Sequence, residues 1–379
     1  MRRNHRHLAR LLTLIALIAS PSLVAQNATP PEPQRSATLS EWIQPHGTGD
    51  PLIWGRRDGI IFGLPSPGGL GGPRGLIRVG IVSPTTGKPE LLNFIAIEPV
   101  ILGPGSRSSR MAFSELEPSR LDPGQRGKRL WVDLSSYDQV GSPAGTRQQF
   151  PGKPAAIERL SVQVDVERFS ANRAHVHVIA SIDSDHPDEL RLSVYQDSDS
   201  PAIEELSLTA TMGNYERLRR LWLHHCVVDS RELMSSYTGD AFDDPPNYPL
   251  RNMLRTADGD AIVFATTNEN DPSSTPAPGH WQYSLPKLTQ YWRIAAHDIQ
   301  PDLRVRVNGR RVYWASHDPL PGGIAYENFD VRERFVPAQT FIFGITPNQP
   351  WRFDPSVPGV EALPATLGEG IQSARGCSL

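Results

Sequence analysis

A period of two dominates the middle of the chain. In "LSVQVDVERF", Leu160, Val162, Val164 and Val166 fall on one side, and Ser161, Gln163, Asp165 and Glu167 on the other. That spacing is the mark of a half-buried strand. "NRAHVHVIASID" repeats it with Val176, Val178, Ala180 and Ile182 as the apolar set, and "ELRLSVYQD" and "IEELSLTATMG" follow. Four consecutive strands of this kind predict an antiparallel meander. Asp258-Gly259 between "LRTA" and "DAIVFATT", and Asn308-Gly309 between "LRVRV" and "RRVYWA", each predict a tight hairpin turn. "LIRVGI" and "FIFGIT" supply further strands, and no repeat of solenoid or propeller period is present. With 36 prolines and 31 glycines there is little room for long helices. The predicted fold is all-β: a large antiparallel β-sandwich with few short helices.

The ends read differently. Residues 1–25 carry Arg2, Arg3, Arg6 and Arg10, then the apolar run Leu11 to Ala19, a break at Pro21 and a small residue at Ala25. This is the layout of a cleaved export signal, too short to span a bilayer. It predicts a secreted or periplasmic protein with no membrane span. Residues 26–35 are a proline-rich linker, and 36–350 are expected to form one sandwich with a candidate seam at 141–156. Residues 351–379 lack pattern and are expected to form an irregular tail. Cys226 and Cys377 are the only cysteines and form a candidate disulfide in an oxidising compartment.

Charge narrows the partners. The formal net charge is -3, and removing a leader with four arginines makes the remainder more acidic. Nucleic acid, whose binding rests on phosphate neutralisation, is therefore not an expected partner. Lys88, Lys128, Lys153 and Lys287 are the only lysines, so nearly all cations are guanidiniums, which suit the carboxylates and sulfates of acidic glycans. A genome bias toward arginine codons explains the same count.

Candidate chemistry sits on strands. In "LRRLWLHHCVV" a continuous strand puts His224 and His225 on opposite faces, where they cannot share a metal; His224 and Cys226 share a face but need further ligands, and a short helix over "NYERLRRLWLHH" is the alternative. His175 and His177 share the polar face of their strand and can bind a metal or exchange protons with a sugar; two surface imidazoles are the plainer reading. "KLTQYWR" groups Lys287, Tyr291 and Arg293 on one side and Trp292 on the other. Cations there can neutralise a carboxylate while a phenol moves a proton; an ordinary outer sheet face carries the same residues. "NFIAIEP" and "IAYENFD" each set a glutamate, Glu98 and Glu327, near an asparagine (Asn93, Asn328) and a phenylalanine. Such an acid is either a buried hydrogen-bonder or a group of raised pKa. "FSELE" places Glu115 and Glu117 on one face if extended. "GLPSPGGLGGPRGLIRVGI" lacks the Gly-Lys-Ser/Thr ending of a phosphate loop and leads into a strand. Nucleophile-elbow and His-Glu-x-x-His motifs are missing, and no cofactor or metal set is read from the sequence. Trp54, Trp222, Trp281, Trp292 and Trp314 suit either sugar rings or a large core.

The alternating strands, the strand-borne His175-x-His177 and the late "IAYENFD…PAQTFIFGIT" resemble the carbohydrate-active large sandwiches of the galactose-mutarotase type, over about residues 155–346. The resemblance implies a supersandwich fold in which strand histidines and a late glutamate contact sugar, here His175, His177 and Glu327. The expected function is action on, or binding of, a polysaccharide or oligosaccharide by a monomer. In a lyase acting on an acidic glycan, Tyr291 or His177 takes the proton, Arg293 neutralises the uronate, and Lys287, Trp292, Trp314 and Asn328 hold substrate. The alternative is a non-catalytic carbohydrate-binding or cell-envelope module. Convergence of His175, His177, Tyr291, Arg293 and Glu327 in one groove favours the enzyme; dispersal favours the module.

Overall fold

A computed structural model describes residues 41–47, 49–64, 74–102, 109–132, 145–153, 155–211, 218–224, 226–238, 247–267, 289–312 and 318–346. The strands are β1 (Trp42–Ile43), β2 (Ile53–Arg56), β3 (Ile60–Gly63), β4 (Leu76–Val82), β5 (Pro89–Leu102), β6 (Ser109–Met111) and β7 (Leu130–Trp131). Then come β8 (Thr146–Phe150), β9 (Ile157–Val166), β10 (Val176–Asp183), β11 (His186–Gln196), β12 (Glu205–Thr211), β13 (Leu218–Trp222) and β14 (Val227–Asp229). The last are β15 (Tyr248–Pro249), β16 (Leu254–Arg255), β17 (Ala261–Thr267), β18 (Thr289–Ile294), β19 (Arg304–Arg310), β20 (Ala325–Arg334) and β21 (Thr340–Thr346). Helix among the described residues is limited to α1 (Ser230–Leu233) and a 3-10 turn at Leu250–Asn252.

The strands form two antiparallel sheets, as the alternation predicts. The ten-stranded sheet runs β1-β2-β3-β4-β5-β12-β20-β19-β15 with β6 beside β5. The eleven-stranded sheet runs β14-β13-β17-β18-β21-β11-β10-β9-β7 with β16 and β8 at its margins. Each sheet turns one apolar face to the other. Leu160, Val162, Val164 and Val166 of β9 and Val176, Val178, Ala180 and Ile182 of β10 meet Ile95 and Ile97 of β5 and Phe329 and Val331 of β20 in one core. Two large core side chains satisfy their polar atoms across the gap. Trp292 Nε1 donates to the Phe329 carbonyl at 2.8 Å, and Tyr326 Oη to the Val228 carbonyl at 2.9 Å. Burying these rings without partners would cost free energy comparable to a lost hydrogen bond.

Long-range pairing changes three local expectations. β9, β10 and β11 form a meander, but β12 crosses to the other sheet and inserts between β5 and β20, while β21 takes the free edge of β11. Asp258-Gly259 does join β16 to β17, with Gly259 at φ 86°. Asn308-Gly309, by contrast, lies inside β19 at a bulge against β20. There the Asn308 side chain accepts the Asn328 N–H at 3.2 Å, and a Cβ on Gly309 would stand 2.2 Å from Met234 Sδ. The dipeptide serves close packing instead of a turn. "LRRLWLHHCVV" is two strands, not one: Leu223 N–H bonds the Cys226 carbonyl at 2.9 Å and closes a hairpin between β13 and β14. His224 is exposed at its tip, and His225 lies outside the described residues.

"FSELE" is a turn, so Glu115 and Glu117 diverge. Glu117 accepts the Ser170 and Ala171 N–H groups at 2.7 and 3.0 Å and meets buried Lys128 at 3.1 Å.

The stretch 141–156 contains β8, which pairs with β9, and the described residues cluster as one compact unit. The stretches read as export signal (1–25), linker (26–35) and tail (351–379) lie outside the described residues, as do Lys287, Trp281 and Trp314. Cys226 is disulfide-bonded; the chain's other cysteine is Cys377. No helix among the described residues is long and apolar enough to cross a membrane.

Candidate functional site

On the outer face of the eleven-stranded sheet, register aligns one side chain from each of four strands. Trp131 of β7 pairs with Asp165 of β9, Asp165 with His177 of β10, and His177 with Tyr195 of β11. Their inward neighbours Val164, Val178 and Val194 belong to the core, so strand alternation turns this row outward. All four are half-buried. At three strand spacings, the row is about 14 Å wide. The His177 ring stacks on Tyr195 with centroids 5.1 Å apart and planes within 2°. The Arg129 guanidinium lies 5.8 Å from the Trp131 ring centroid, within cation–π range.

The two imidazoles are held from behind. His177 Nδ1 lies 2.7 Å from Asp197 Oδ1, and His175 Nδ1 lies 2.6 Å from Asp199 Oδ1 and 3.5 Å from Asp197 Oδ2. The hydrogen bond to His175 holds the exposed Asp199 carboxyl below the usual carboxylate range. A carboxylate on Nδ1 fixes ring orientation and leaves Nε2 as the second hydrogen-bonding atom. Among the described residues no group of three or more His, Cys, Asp and Glu can hold a metal ion.

Tyr291 and Arg293 of β18 lie on the same face but elsewhere. Tyr291 is aligned with Gly344 of β21 and, through it, with Glu189 at the start of β11. Glu189 is six residues from Tyr195, roughly 20 Å along the strand. This end is closed. Tyr291 donates to Glu189 Oε1 at 3.1 Å, and Arg293 binds both Glu189 oxygens and, at 2.6 Å, Asp260 Oδ2. Tyr291 is buried with Trp222, Leu254, Ile262 and Phe264 in a second apolar cluster. Burial, then the Glu189 and Asp188 charges, push its phenol well above the ordinary value. Burial alone would lower Arg293, but Glu189 and Asp260 hold it above the ordinary arginine value.

The other named residues belong to the ten-stranded sheet or to the core. Glu327 is buried at the β20 bulge, and Trp292 is a core residue. Asn328 accepts from Thr211 Oγ1 at 3.4 Å on the outer face of that sheet. The five candidate catalytic residues thus fall in three places.

On that same outer face the stretches "NFIAIEP" and "IAYENFD" meet through β12, but the acids brought together are Glu98, Glu115 and Asp330. Thr209 Oγ1 donates to Glu98 at 2.9 Å, and Arg306 Nε to Asp330 at 3.1 Å. Burial, then the charges of Glu115 and Asp330, raise Glu98 well above the carboxylate range. Burial pushes Glu115 up to about 7. Trp131, Tyr195 and Arg191 were not singled out from the sequence. Tyr195 lies in the recognised strand "ELRLSVYQD", and only its register with His177 marks it.

No protein-family model matches the chain, and no curated protein matches it. Among solved structures, "Crystal Structure Analysis of HI1317" is similar at 9% identity and a TM-score of 0.21, over 80% of this chain and 98% of that one. A likeness at this level carries no argument.

Proposed function

We propose that this is an exported carbohydrate-binding protein that receives a glycan on the outer face of its eleven-stranded sheet. One observation carries the reading: the in-register row Trp131–Asp165–His177–Tyr195, half-exposed and flanked by His175. Aromatic faces contact the apolar side of a sugar ring, while imidazoles and carboxylates bond its hydroxyls. The dispersal of His175, His177, Tyr291, Arg293 and Glu327 supports binding over catalysis, because proton transfer needs its groups within hydrogen-bond reach of one substrate. The disulfide at Cys226 fits an oxidising compartment.

The test is calorimetric titration of the purified chain with neutral and acidic oligosaccharides, alongside assays for unsaturated and reducing ends. Binding without turnover is expected, and Tyr195→Ala or Trp131→Ala lowers affinity on the order of tenfold. Turnover abolished by His177→Ala would replace this reading with an enzyme.

A second reading, hydrolysis, draws on Glu98 and Glu115. A carboxyl pushed up to about 7 beside a second raised one is suited to general-acid chemistry. Release of reducing ends without unsaturated products, lost in Glu115→Gln, would favour it.

A further inference from the structure

Arg191 lies on β11 four residues from Tyr195, about 14 Å down the same outer face. Its neighbours Leu190 and Leu192 are core residues, so its side chain faces outward, and it is half-buried. Register places it opposite Ser181 of β10 on one side and Ile342 of β21 on the other, and Ile342 is in turn aligned with Arg293. Among the described residues, nothing makes a hydrogen bond or ion pair with its guanidinium. The nearby acids are committed elsewhere. Both Glu189 oxygens hold Arg293, and both Asp183 oxygens hold Arg159, the second at 2.8 Å. Burial lowers Arg191 from the ordinary arginine value. Asp183 opposes that, while Arg159 and Arg293 add to it and Glu189 resists. Arginine stays charged throughout, so a half-desolvated cation has no bonded acceptor among the described residues.

We propose that Arg191 is the anion subsite of the glycan face, taking a carboxylate or sulfate of an acidic oligosaccharide whose rings lie on the Trp131–Tyr195 row. This rests on the glycan-binding reading above and adds the substrate class. The planar guanidinium offers parallel donors that match a carboxylate or sulfate. Ser181, directly across the strand pair, adds a hydroxyl beside it. Gln163, Ile179 and Ser193 occupy the row between Arg191 and Tyr195, so the occupant is an extended oligosaccharide longer than one ring. A guanidinium already bound to two carboxylates, as Arg293 is, has no such vacancy.

The experiment has two arms on the full chain. In the first, calorimetry at low salt compares hexagalacturonate with its methyl ester, which keeps the rings and removes the charge. The wild type binds the acid about tenfold more tightly than the ester, the worth of one charge-assisted contact. Arg191→Ala and Arg191→Gln abolish that preference by weakening the acid far more than the ester, and Arg191→Lys retains part of it. In the second arm, sodium sulfate and sodium chloride are compared at matched ionic strength. Sulfate raises the wild-type Tm more than chloride does, and in Arg191→Gln that margin shrinks to the general stabilisation sulfate gives by exclusion from the protein surface.

An acid-over-ester preference that is missing from the wild type, or unchanged in both neutral variants, overturns the anion subsite while leaving glycan binding intact. Sulfate stabilisation dependent on Arg191, with no binding of either oligosaccharide, keeps the anion site and removes the glycan reading. Equal sulfate effects on wild type and Arg191→Gln, with no oligosaccharide binding, reject both.

Discussion

The two ends of one sheet face differ more than their sequences do. At the His177 end an aromatic, a carboxylate, an imidazole and a phenol stand side by side, half-exposed, each histidine bonded through Nδ1 alone among the described contacts. At the Tyr291 end a phenol, a guanidinium and two carboxylates stand as close, yet Tyr291 and Glu189 are almost wholly buried and bonded to one another. Gly344 explains much of the closure. The Tyr291 ring lies over it, so near that a Cβ there would be 2.0 Å from the ring. A missing side chain lets the phenol lie flat and reach Glu189. Polar residue types on an outer face therefore do not suffice for binding; their bonding atoms must also be left unspent.

The contrast can be broken most forcefully at the closed end. Glu189→Ala strands Arg293 and Tyr291 in a desolvated cluster, with an expected loss of about 3–5 kcal/mol in urea unfolding. Gly344→Ala drives a methyl into the Tyr291 ring and is expected to cost about 1–3 kcal/mol. Loss of the Tyr291 near-ultraviolet signal before global unfolding would accompany it.

Acidity sharpens the comparison with the other sheet. Glu98 and Glu115 are raised mainly by burial, as is Glu333, pushed up to about 8, where Gln339 and the Gln300 N–H hold it. Each binds a proton more tightly folded than unfolded. Their contribution is complete below the ordinary carboxyl range and is lost as pH rises through about 7 and about 8. Unfolding free energy is thus expected to fall between pH 5 and pH 8.5, a range set roughly by those values. Glu115→Gln and Glu333→Gln should flatten the slope. The smallest expected change belongs to the open end. His177→Ala, a half-exposed position, should cost below about 1 kcal/mol in the same unfolding assay while weakening glycan binding.

Period-two alternation assigned Val176 and Val178 inward and His175 and His177 outward, and the same pattern separated Tyr291 and Arg293 from Trp292. Those assignments are local: strand geometry sends neighbouring side chains to opposite faces whatever the strand pairs with. The all-β sandwich and the Asp258-Gly259 hairpin follow from the same short-range rules. Asn308-Gly309 shows their limit, because one dipeptide suits a turn or a bulge until the partner strand is known.

What the tertiary structure alone decided is partnership. The crossing of β12 joined Glu98 to Asp330 rather than to Glu327; the register of β7, β9, β10 and β11 put Trp131 and Tyr195 in one row with His177; and Glu189, far from Arg293 in sequence, claimed it and left Arg191 unbonded among the described residues. Alternation says which face a residue takes. Which neighbour shares that face depends on strand order and register between distant segments, and these are settled by the burial of the whole inter-sheet core.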